Sequence, residues 1–349
     1  MDPKAAGVSF VIPVYNGERT LEATLASVFA EARARPFEVI VIEDGSSDGS
    51  TRILDRYRES EGLVLLRGEG RGAAAAINLG IRRARHEIIA QVDQDVALDP
   101  GWLARLAAEL ASGPDVAAAQ GRYRASRADG WWARVMGLDL DLRASRLGRS
   151  VDHVCTGNTL YRRSALLAVG LFDEALGYGY DNCMSYRLGG AGYRLVQRED
   201  ATALHRWRVD VRGYLAQQFG VATGRLDLIA KYPDRIGGDQ VSGPGMILHA
   251  AASALALASL LSGALFFVFG ADATPSLGLG LMILTLLALE RSRAGLHAAA
   301  RSGDPAGLLF PLAHALRDAA WVAALVVWLA RRAIGQVRAP GHSMLRVRR

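Results

Sequence analysis

The chain has 349 residues, 50% of them hydrophobic, and a formal net charge of +6. This length is sufficient for one large domain and a further region. Six arginines follow the last apolar segment, which equals the net positive charge of the whole chain. They are Arg331, Arg332, Arg338, Arg346, Arg348 and Arg349. We therefore expect no nucleic-acid partner, because attraction to anionic lipid explains basic residues beside an apolar segment more simply. With Cys155 and Cys183 as its only cysteines, the sequence predicts no disulfide framework.

Apolar segments that end in turn residues alternate with helical patterns through the first 100 residues. The predicted strands lie in residues 8–17, 37–50, 62–70 and 87–93, and the predicted helices lie in residues 18–32, 51–60 and 71–85. The strands are apolar almost throughout, as expected when both faces of a sheet are buried. The sequence therefore predicts an α/β fold, in which a mostly parallel sheet carries helices on both faces.

Three polar loops follow these strands, at residues 13–17, 43–49 and 93–95. In parallel α/β sheets, ligands bind beyond the carboxyl ends of the strands. Because the three loops converge on that edge, the sequence predicts a ligand site there. Asp44, at the end of the second strand, is placed to accept a hydrogen bond from a ribose hydroxyl or a base N–H.

Asp93, Gln94 and Asp95 form the last of these loops. Two carboxylates this close repel each other unless a cation lies between them. Such oxygen ligands suit Mg²⁺ or Mn²⁺ beside a diphosphate, which makes the loop a predicted metal site. A solvated turn is the alternative for Asp95. Asp99 is expected instead to cap the helix that begins after Pro100.

Five stretches of the chain, in this order, resemble glycosyltransferase family 2: VIPVYNG, EVIVIEDGSSDGS, GRGAAAAINLG, IIAQVDQD and CTGNTLYRRSALLAVGLFDEAL. The resemblance implies a GT-A fold, a nucleotide-diphosphate sugar donor that is most often UDP-linked, a divalent metal (Mn²⁺ or Mg²⁺) and inversion at the anomeric carbon. It implies that Asp95 ligates the metal. The residues expected on the same basis to bind the nucleotide or donor are Pro13, Tyr15, Asp44, Arg71, Asp93 and Gln94.

Residues 177–195 resemble the family segment that usually reads Glu-Asp before a helix, but here Tyr180 replaces the Glu and Asp181 remains. An inverting transfer needs a base that removes the acceptor proton, and Asp181 is the predicted base. Its alternative role is the N-cap of the helix. The change at Tyr180 puts the acceptor contacts in doubt. Gly157, Asn158 and Tyr180 are expected to line the acceptor or sugar pocket, with an ordinary turn as the alternative for Asn158.

His205 ends a strand-like segment and is predicted to reach the metal or diphosphate, with a structural role as the alternative. Arg206 and Arg225 are candidates for phosphate contact, because guanidinium matches phosphate geometry. The triplet HRW at residues 205–207 is not the Gln-x-x-Arg-Trp motif of processive polysaccharide synthases. That difference favours transfer of a single sugar.

Apolar segments dominate the chain after residue 240. Met246–Phe269 has no Asp, Glu, Lys or Arg, and its 24 residues would form a helix ~36 Å long, enough to cross a ~30 Å hydrocarbon core. Residues 273–290 are expected to form a second span. Residues 306–330 carry Arg317 and Asp318, which are costly at mid-bilayer. This third segment is expected to lie at the interface, to re-enter, to break near Arg317, or to span.

We predict three regions: a glycosyltransferase domain at 1–240, a membrane region at 241–335 and a basic tail at 336–349. The domain is divided into a nucleotide-binding half at 1–100 and an acceptor half at 101–240. The link Arg291–Asp304 and the tail are both basic, so both are expected on the cytoplasmic side of the membrane. The expected location is the inner (cytoplasmic) membrane, in a multi-pass protein whose catalytic domain faces the cytoplasm.

The predicted function is transfer of one sugar to a lipid-linked (polyprenyl) acceptor in cell-surface polysaccharide assembly, because a membrane-fixed enzyme gains effective concentration for such an acceptor. The nearest alternative is a polyprenyl-phosphate monosaccharide synthase, whose acceptor phosphate is already ionised and needs no base. The alternative from another class is a non-catalytic membrane protein that binds nucleotide sugars.

Overall fold

A computed structural model describes residues 6–334 of the chain, which fall into two compact units. Among these residues, the first unit comprises 6–126 and 143–206, and the second comprises 127–142 and 207–334. The predicted basic tail at 336–349 lies outside the described residues. The domain boundaries at residues 100, 240 and 335 stay predictions.

The first unit is built on a nine-stranded sheet. Its strands are β1 Val8–Val14, β2 Phe37–Glu43, β3 Leu63–Arg67, β4 Ile88–Val92, β5 Val96–Leu98, β6 Val116–Arg124, β7 Ser150–Val151, β8 Asn158–Arg162 and β9 Arg194–His205. Among the described residues, the α-helices are α1 Leu21–Ala32, α2 Ser50–Tyr57, α3 Ala73–Arg83, α4 Trp102–Leu110, α5 Trp131–Ala144, α6 Arg163–Ala168, α7 Tyr180–Gly190, α8 Val211–Lys231, α9 Pro244–Val268, α10 Thr274–Ser302 and α11 Phe310–Ala333.

The strand order is β3-β2-β1-β4-β8-β6-β9-β5, and β7 pairs with β9. The first four strands of this order pair in parallel, and β8 joins β4 and β6 in antiparallel fashion. In β1, Val14 pairs with Glu43 and Val11 pairs with Gln91, so the loops after β1, β2 and β4 lie at one edge of the sheet. The predicted α/β fold is confirmed.

Both faces of the sheet are buried, as the continuous apolar strands predict. On one face, Phe10 and Ile12 belong to a core that includes Leu25 of α1 and Trp102 of α4. On the other face, the intervening Val11 packs in a core with residues of α3, α6 and α7. The alternation along β1 follows from the two-residue repeat of a strand.

The predicted helix cap at Asp99 is wrong, and so is the alternative role of Asp181 as a cap. The residue before α4 is Gly101, with φ 83°, and the residue before α7 is Gly179, with φ 78°. Glycine enters this left-handed region without steric cost, so the chain turns into each helix there. Asp99 is free to bond Arg124 and Thr202 instead, and Asp181 lies inside the first turn of α7.

Three helical segments of the second unit are long and apolar enough to cross a membrane: Pro244–Val268, Thr274–Ser302 and Pro305–Ala333. The residues predicted as a basic link, Arg291–Asp304, belong to α10 as far as Ser302. A break near Arg317, one of the predicted alternatives, is wrong, because α11 is unbroken from Phe310 to Ala333.

A buried polar network explains both differences. Asp318 accepts hydrogen bonds from Arg291 of α10 and from Ser253 of α9, the latter at 3.0 Å. Arg317 Nε lies 3.4 Å from Asp318 Oδ1, and its Nη1 lies 3.9 Å from Asp139 Oδ2 of α5. Arg291, Arg317 and Asp318 are therefore buried with oppositely charged partners beside them.

Asp318→Asn is expected to destabilise the protein by about 3–5 kcal/mol, because removing one partner of a buried ion pair leaves the opposite charge uncompensated. The melting temperature in detergent measures this loss. The matched control is Glu290→Gln, beside Arg291 on the same helix but with a side chain 55% exposed. Equal melting temperatures for Asp318→Asn and the control would contradict a stabilising role for the network.

Candidate active site at the carboxyl edge of the sheet

The side-chain amide of Gln94 joins the loops after β1 and β4. Gln94 Oε1 accepts from the Tyr15 amide at 2.8 Å, and Gln94 Nε2 donates to the Tyr15 carbonyl at 2.9 Å. The Gln94 carbonyl also accepts from Thr24 Oγ1 at 2.9 Å. This arrangement leaves Tyr15 49% exposed at the edge. Pro13 lies two residues earlier, in β1, where it pairs with Ile42 of β2. The predicted nucleotide contacts of these residues stay predictions.

Asp44 shapes the loop between β3 and α3. Its two carboxylate oxygens accept from the amides of Gly70 and Gly72, at 2.8 and 2.9 Å. Both glycines have positive φ, so they supply the turns that bring these amides together. Arg71, between them, pairs with Glu69 at 2.8 Å and Glu174 at 2.5 Å. The carboxylates of Glu174 and Glu69 raise the pKa of Arg71.

Asp93 lies against Gln91 and Gly157. Gln91 Nε2 donates to Asp93 Oδ1 at 2.8 Å, while Gln91 Oε1 accepts from the Gly157 amide. Burial, with a smaller contribution from the charge of Asp95, raises the pKa of Asp93 to about 7. The Gln91 hydrogen bond opposes this rise and Asp181 adds to it. These carboxylates therefore share one electronegative site.

Gly157 is required by this geometry. Its φ is 91°, and a Cβ built there would lie 2.5 Å from Asp93 Cγ and 2.9 Å from the Tyr123 hydroxyl. Asn158, the next residue, is buried in β8 and accepts from Trp102 Nε1 at 2.5 Å. The backbone of this turn is thus held against Asp93, and the role of Gly157 and Asn158 in a sugar pocket stays a prediction.

The pairing of β5 with β9 brings Asp95 to His205. His205 Nε2 lies 3.7 Å from Asp95 Oδ1, and the Arg206 amide donates to the Asp95 carbonyl at 2.9 Å. Two donors that each lie ~2.1 Å from one ion are separated by about 3.0 to 4.2 Å. The observed separation falls in this interval, and the donor types suit Mn²⁺ or Mg²⁺. These residues therefore fit the metal that the family implies.

Asp181 and Tyr180 begin α7 beside this cluster. The Asp181 carboxylate lies 3.9 Å from His153 Nε2. The Tyr180 hydroxyl accepts from Thr156 Oγ1 at 3.4 Å, and burial together with Asp93 and Asp181 raises its pKa well above 10. A phenol in this environment stays neutral, so the position that usually carries a Glu contributes no charge here.

Arg225 lies in the second unit. Its Nη2 contacts Asp239 Oδ2 at 2.8 Å, and both side chains are buried. This ion pair gives Arg225 a structural partner, and its phosphate role stays a prediction, as does that of Arg206.

Three residues near these carboxylates are absent from the sequence-based assignment. Gln91 carries a usable signal, since it is a polar residue inside an otherwise apolar strand. Tyr123 donates to the Thr156 carbonyl at 2.7 Å and packs edge-on against the His205 ring. Tyr123 and His153 come from strands and loops remote in sequence, so no local pattern marks them.

Comparisons with known proteins identify the family. Residues 9–170 match the model described as glycosyl transferase family 2. An uncharacterized glycosyltransferase of Mycobacterium bovis is 30% identical over 190 residues, which cover 54% of this chain and 82% of that protein. The poly-beta-1,6-N-acetyl-D-glucosamine synthase of Staphylococcus aureus is 26% identical over 196 residues, 54% of this chain. The chain spans only 47% of the length of that synthase.

One solved structure extends the likeness over nearly the whole chain. The Pyrobaculum calidifontis mannosyltransferase PcManGT, in complex with GDP-Man and Mn²⁺, superposes with a TM-score of 0.59 at 23% identity. The match covers 94% of this chain and 88% of that one. This likeness confirms the GT-A fold, with long apolar helices after it. The chain belongs to glycosyltransferase family 2.

Proposed function

We propose that the protein is an inverting, metal-dependent glycosyltransferase that moves one sugar from a nucleotide-diphosphate donor, UDP-linked, to a lipid-borne acceptor. One observation carries the proposal: at one sheet edge, Asp95 Oδ1 lies 3.7 Å from His205 Nε2. The charges of Asp95 and Asp181 there add to the larger effect of burial, and together they raise the pKa of Asp93 to about 7. Such an accumulation of negative charge is costly alone and is relieved by a divalent cation.

Asp95 and His205 would hold the metal, with Asp93 beside them. When bound, the metal would stabilise the charge that develops on the departing diphosphate. The Mn²⁺ in the complex of the Pyrobaculum mannosyltransferase supports this choice. Gln94 fixes the Tyr15 backbone over the same edge, where the exposed ring is available to a nucleoside base.

Asp181 would accept the proton of the acceptor hydroxyl while that oxygen attacks the anomeric carbon. Its place in the first turn of α7 keeps the carboxylate fixed on a helix that packs into the core of the first unit. The neutral Tyr180 beside it offers a hydroxyl to the acceptor in place of a second carboxylate.

The long apolar helices support a membrane location, and we propose an inner-membrane protein whose catalytic unit faces the cytoplasm. The similarity to a staphylococcal polysaccharide synthase supports a role in cell-surface glycan assembly. An acceptor held in the same membrane gains effective concentration, so a polyprenyl-linked glycan is the proposed acceptor class.

Thermal shift of the detergent-purified protein tests the donor site. UDP, GDP, dTDP and CMP are added with and without Mn²⁺, because the Pyrobaculum relative was solved with a GDP sugar. A nucleotide at ~100 times its dissociation constant adds about 2.7 kcal/mol of stability. We expect stabilisation by UDP that requires Mn²⁺. A response to GDP alone would overturn the choice of UDP, and no response from folded protein would overturn the donor site.

A further inference from the structure

His153, Cys155 and Asp181 form a second cluster of metal-binding side chains. Cys155 Sγ lies 3.5 Å from His153 Nε2, which lies 3.9 Å from Asp181 Oδ2. One donor atom of each residue lies within 4.8 Å of the other two. His153 is buried, whereas Cys155 and Asp181 are partly accessible. A thiol, an imidazole and a carboxylate are thus gathered where an ion can reach them.

The separation of sulfur and nitrogen matches a tetrahedral zinc site. Zinc binds a thiolate at ~2.3 Å and a histidine nitrogen at ~2.05 Å, which places the two donors about 3.5 Å apart. The sulfur and nitrogen already have this separation. A nitrogen and a carboxylate oxygen on zinc would be about 3.3 Å apart, so the Asp181 carboxylate would move closer to His153 than its present 3.9 Å. Water would complete the tetrahedron.

The far side of the imidazole is held in place. His153 Nδ1 lies 3.3 Å from Asn182 Nδ2 and 3.5 Å from Ser185 Oγ, both on α7. The two orientations of an Asn amide are not distinguished by position alone, and with its oxygen toward His153 it would accept the Nδ1 proton. A ligand histidine oriented through its second nitrogen is the usual arrangement at metal sites.

The surroundings favour a cation. Burial raises the pKa of Tyr161, and Asp181 and Cys155 raise it further. The pKa of Tyr123 is raised by burial and by Asp93, Cys155, Asp95 and Asp181. Several groups that gain negative charge on deprotonation therefore meet around these tyrosines, and a bound divalent ion would offset them.

We propose that His153, Cys155 and Asp181 form a binding site for a thiol-seeking divalent ion of the Zn²⁺ class, separate in its ligands from the Asp95 and His205 site, and that occupation of it inhibits transfer. Binding displaces the thiol proton of Cys155 to solvent and leaves the metal–thiolate bond in its place. Inhibition rests on the proposed function, because it follows from the loss of Asp181 as the base.

Cobalt absorbance tests the binding. Co²⁺ is added to the full-length protein in detergent with excess Mg²⁺, and the near-ultraviolet charge-transfer band of a cobalt–thiolate bond is recorded. We expect this band in the wild type, its loss in Cys155→Ser, and its persistence in Cys183→Ala, which removes the buried cysteine of α7. His153→Gln is expected to weaken cobalt binding by at least ~10-fold. No band from folded wild-type protein, or a band that follows Cys183, would overturn the site.

Zinc inhibition tests the consequence. Transfer is measured at saturating Mn²⁺, and each variant is compared with its own zinc-free rate. We expect Cys155→Ser to need at least ~10-fold more Zn²⁺ for half-inhibition than the wild type. Cobalt–thiolate absorbance without zinc inhibition would overturn the inhibitory role. If no donor gives product, the proposed function fails, but the cobalt band still reports whether this site binds metal. The band should also persist in Asp95→Ala, because Asp95 is not one of the three proposed ligands.

Discussion

Asp95→Ala is expected to lower the rate of sugar transfer by at least ~10²–10³-fold, the usual loss when one group that stabilises transition-state charge is removed. The Asp95 carboxylate faces His205 across a gap that one ion can bridge, and the donor types suit a hard divalent metal. Without Asp95, the ion loses its anionic ligand, and the diphosphate departs without that compensation.

The same variant should lose the Mn²⁺-dependent thermal stabilisation by nucleotide while keeping a melting temperature near that of the wild type without ligand. Asp55→Ala is the matched control, because Asp55 lies on the surface helix α2 with a side chain 53% exposed. Full transfer and an unchanged nucleotide response in Asp95→Ala would mean that Asp93 to Asp95 is an ordinary turn. The metal site would then have to be sought elsewhere.

The strands and the location of the site could be predicted because their causes are local. Continuous apolar segments indicate strands buried on both faces, and the parallel pairing of β1 with β2 and β4 places their polar loops at one edge. The likeness to a family then supplies roles for residues inside those loops. Neither step requires knowledge of contacts between remote segments.

Contacts between segments remote in sequence account for what was missed. From the sequence, Arg291 is a basic residue of a link, yet its partner Asp318 is 27 positions away, and their pairing compensates two buried charges. The sequence offers Asp99 and Asp181 as helix caps, but the glycine immediately before each helix already turns the chain. The position of His153 beside Asp181 depends on how α7 packs, which no sequence period records.

Asp181→Asn is expected to lower the turnover number for transfer by about 10²–10⁴-fold, the usual contribution of a positioned general base. The asparagine side chain has nearly the same shape, and Asp181 lies within the first turn of α7, so the fold should persist. Because the amide cannot take the acceptor proton, binding of nucleotide and Mn²⁺ should be retained while the chemical step fails. Glu199→Gln is the control, since Glu199 is 65% exposed on β9.

The outcome separates the two acceptor classes. A hydroxyl acceptor must lose its proton as it attacks, whereas a phosphate acceptor is already ionised at neutral pH and needs no base. Transfer that survives in Asp181→Asn to within a few-fold would therefore favour a polyprenyl-phosphate acceptor and remove the basis for zinc inhibition through Asp181. Loss of transfer with nucleotide binding intact would support the hydroxyl of a lipid-linked glycan, because a defect limited to the chemical step requires a group that acts on the acceptor.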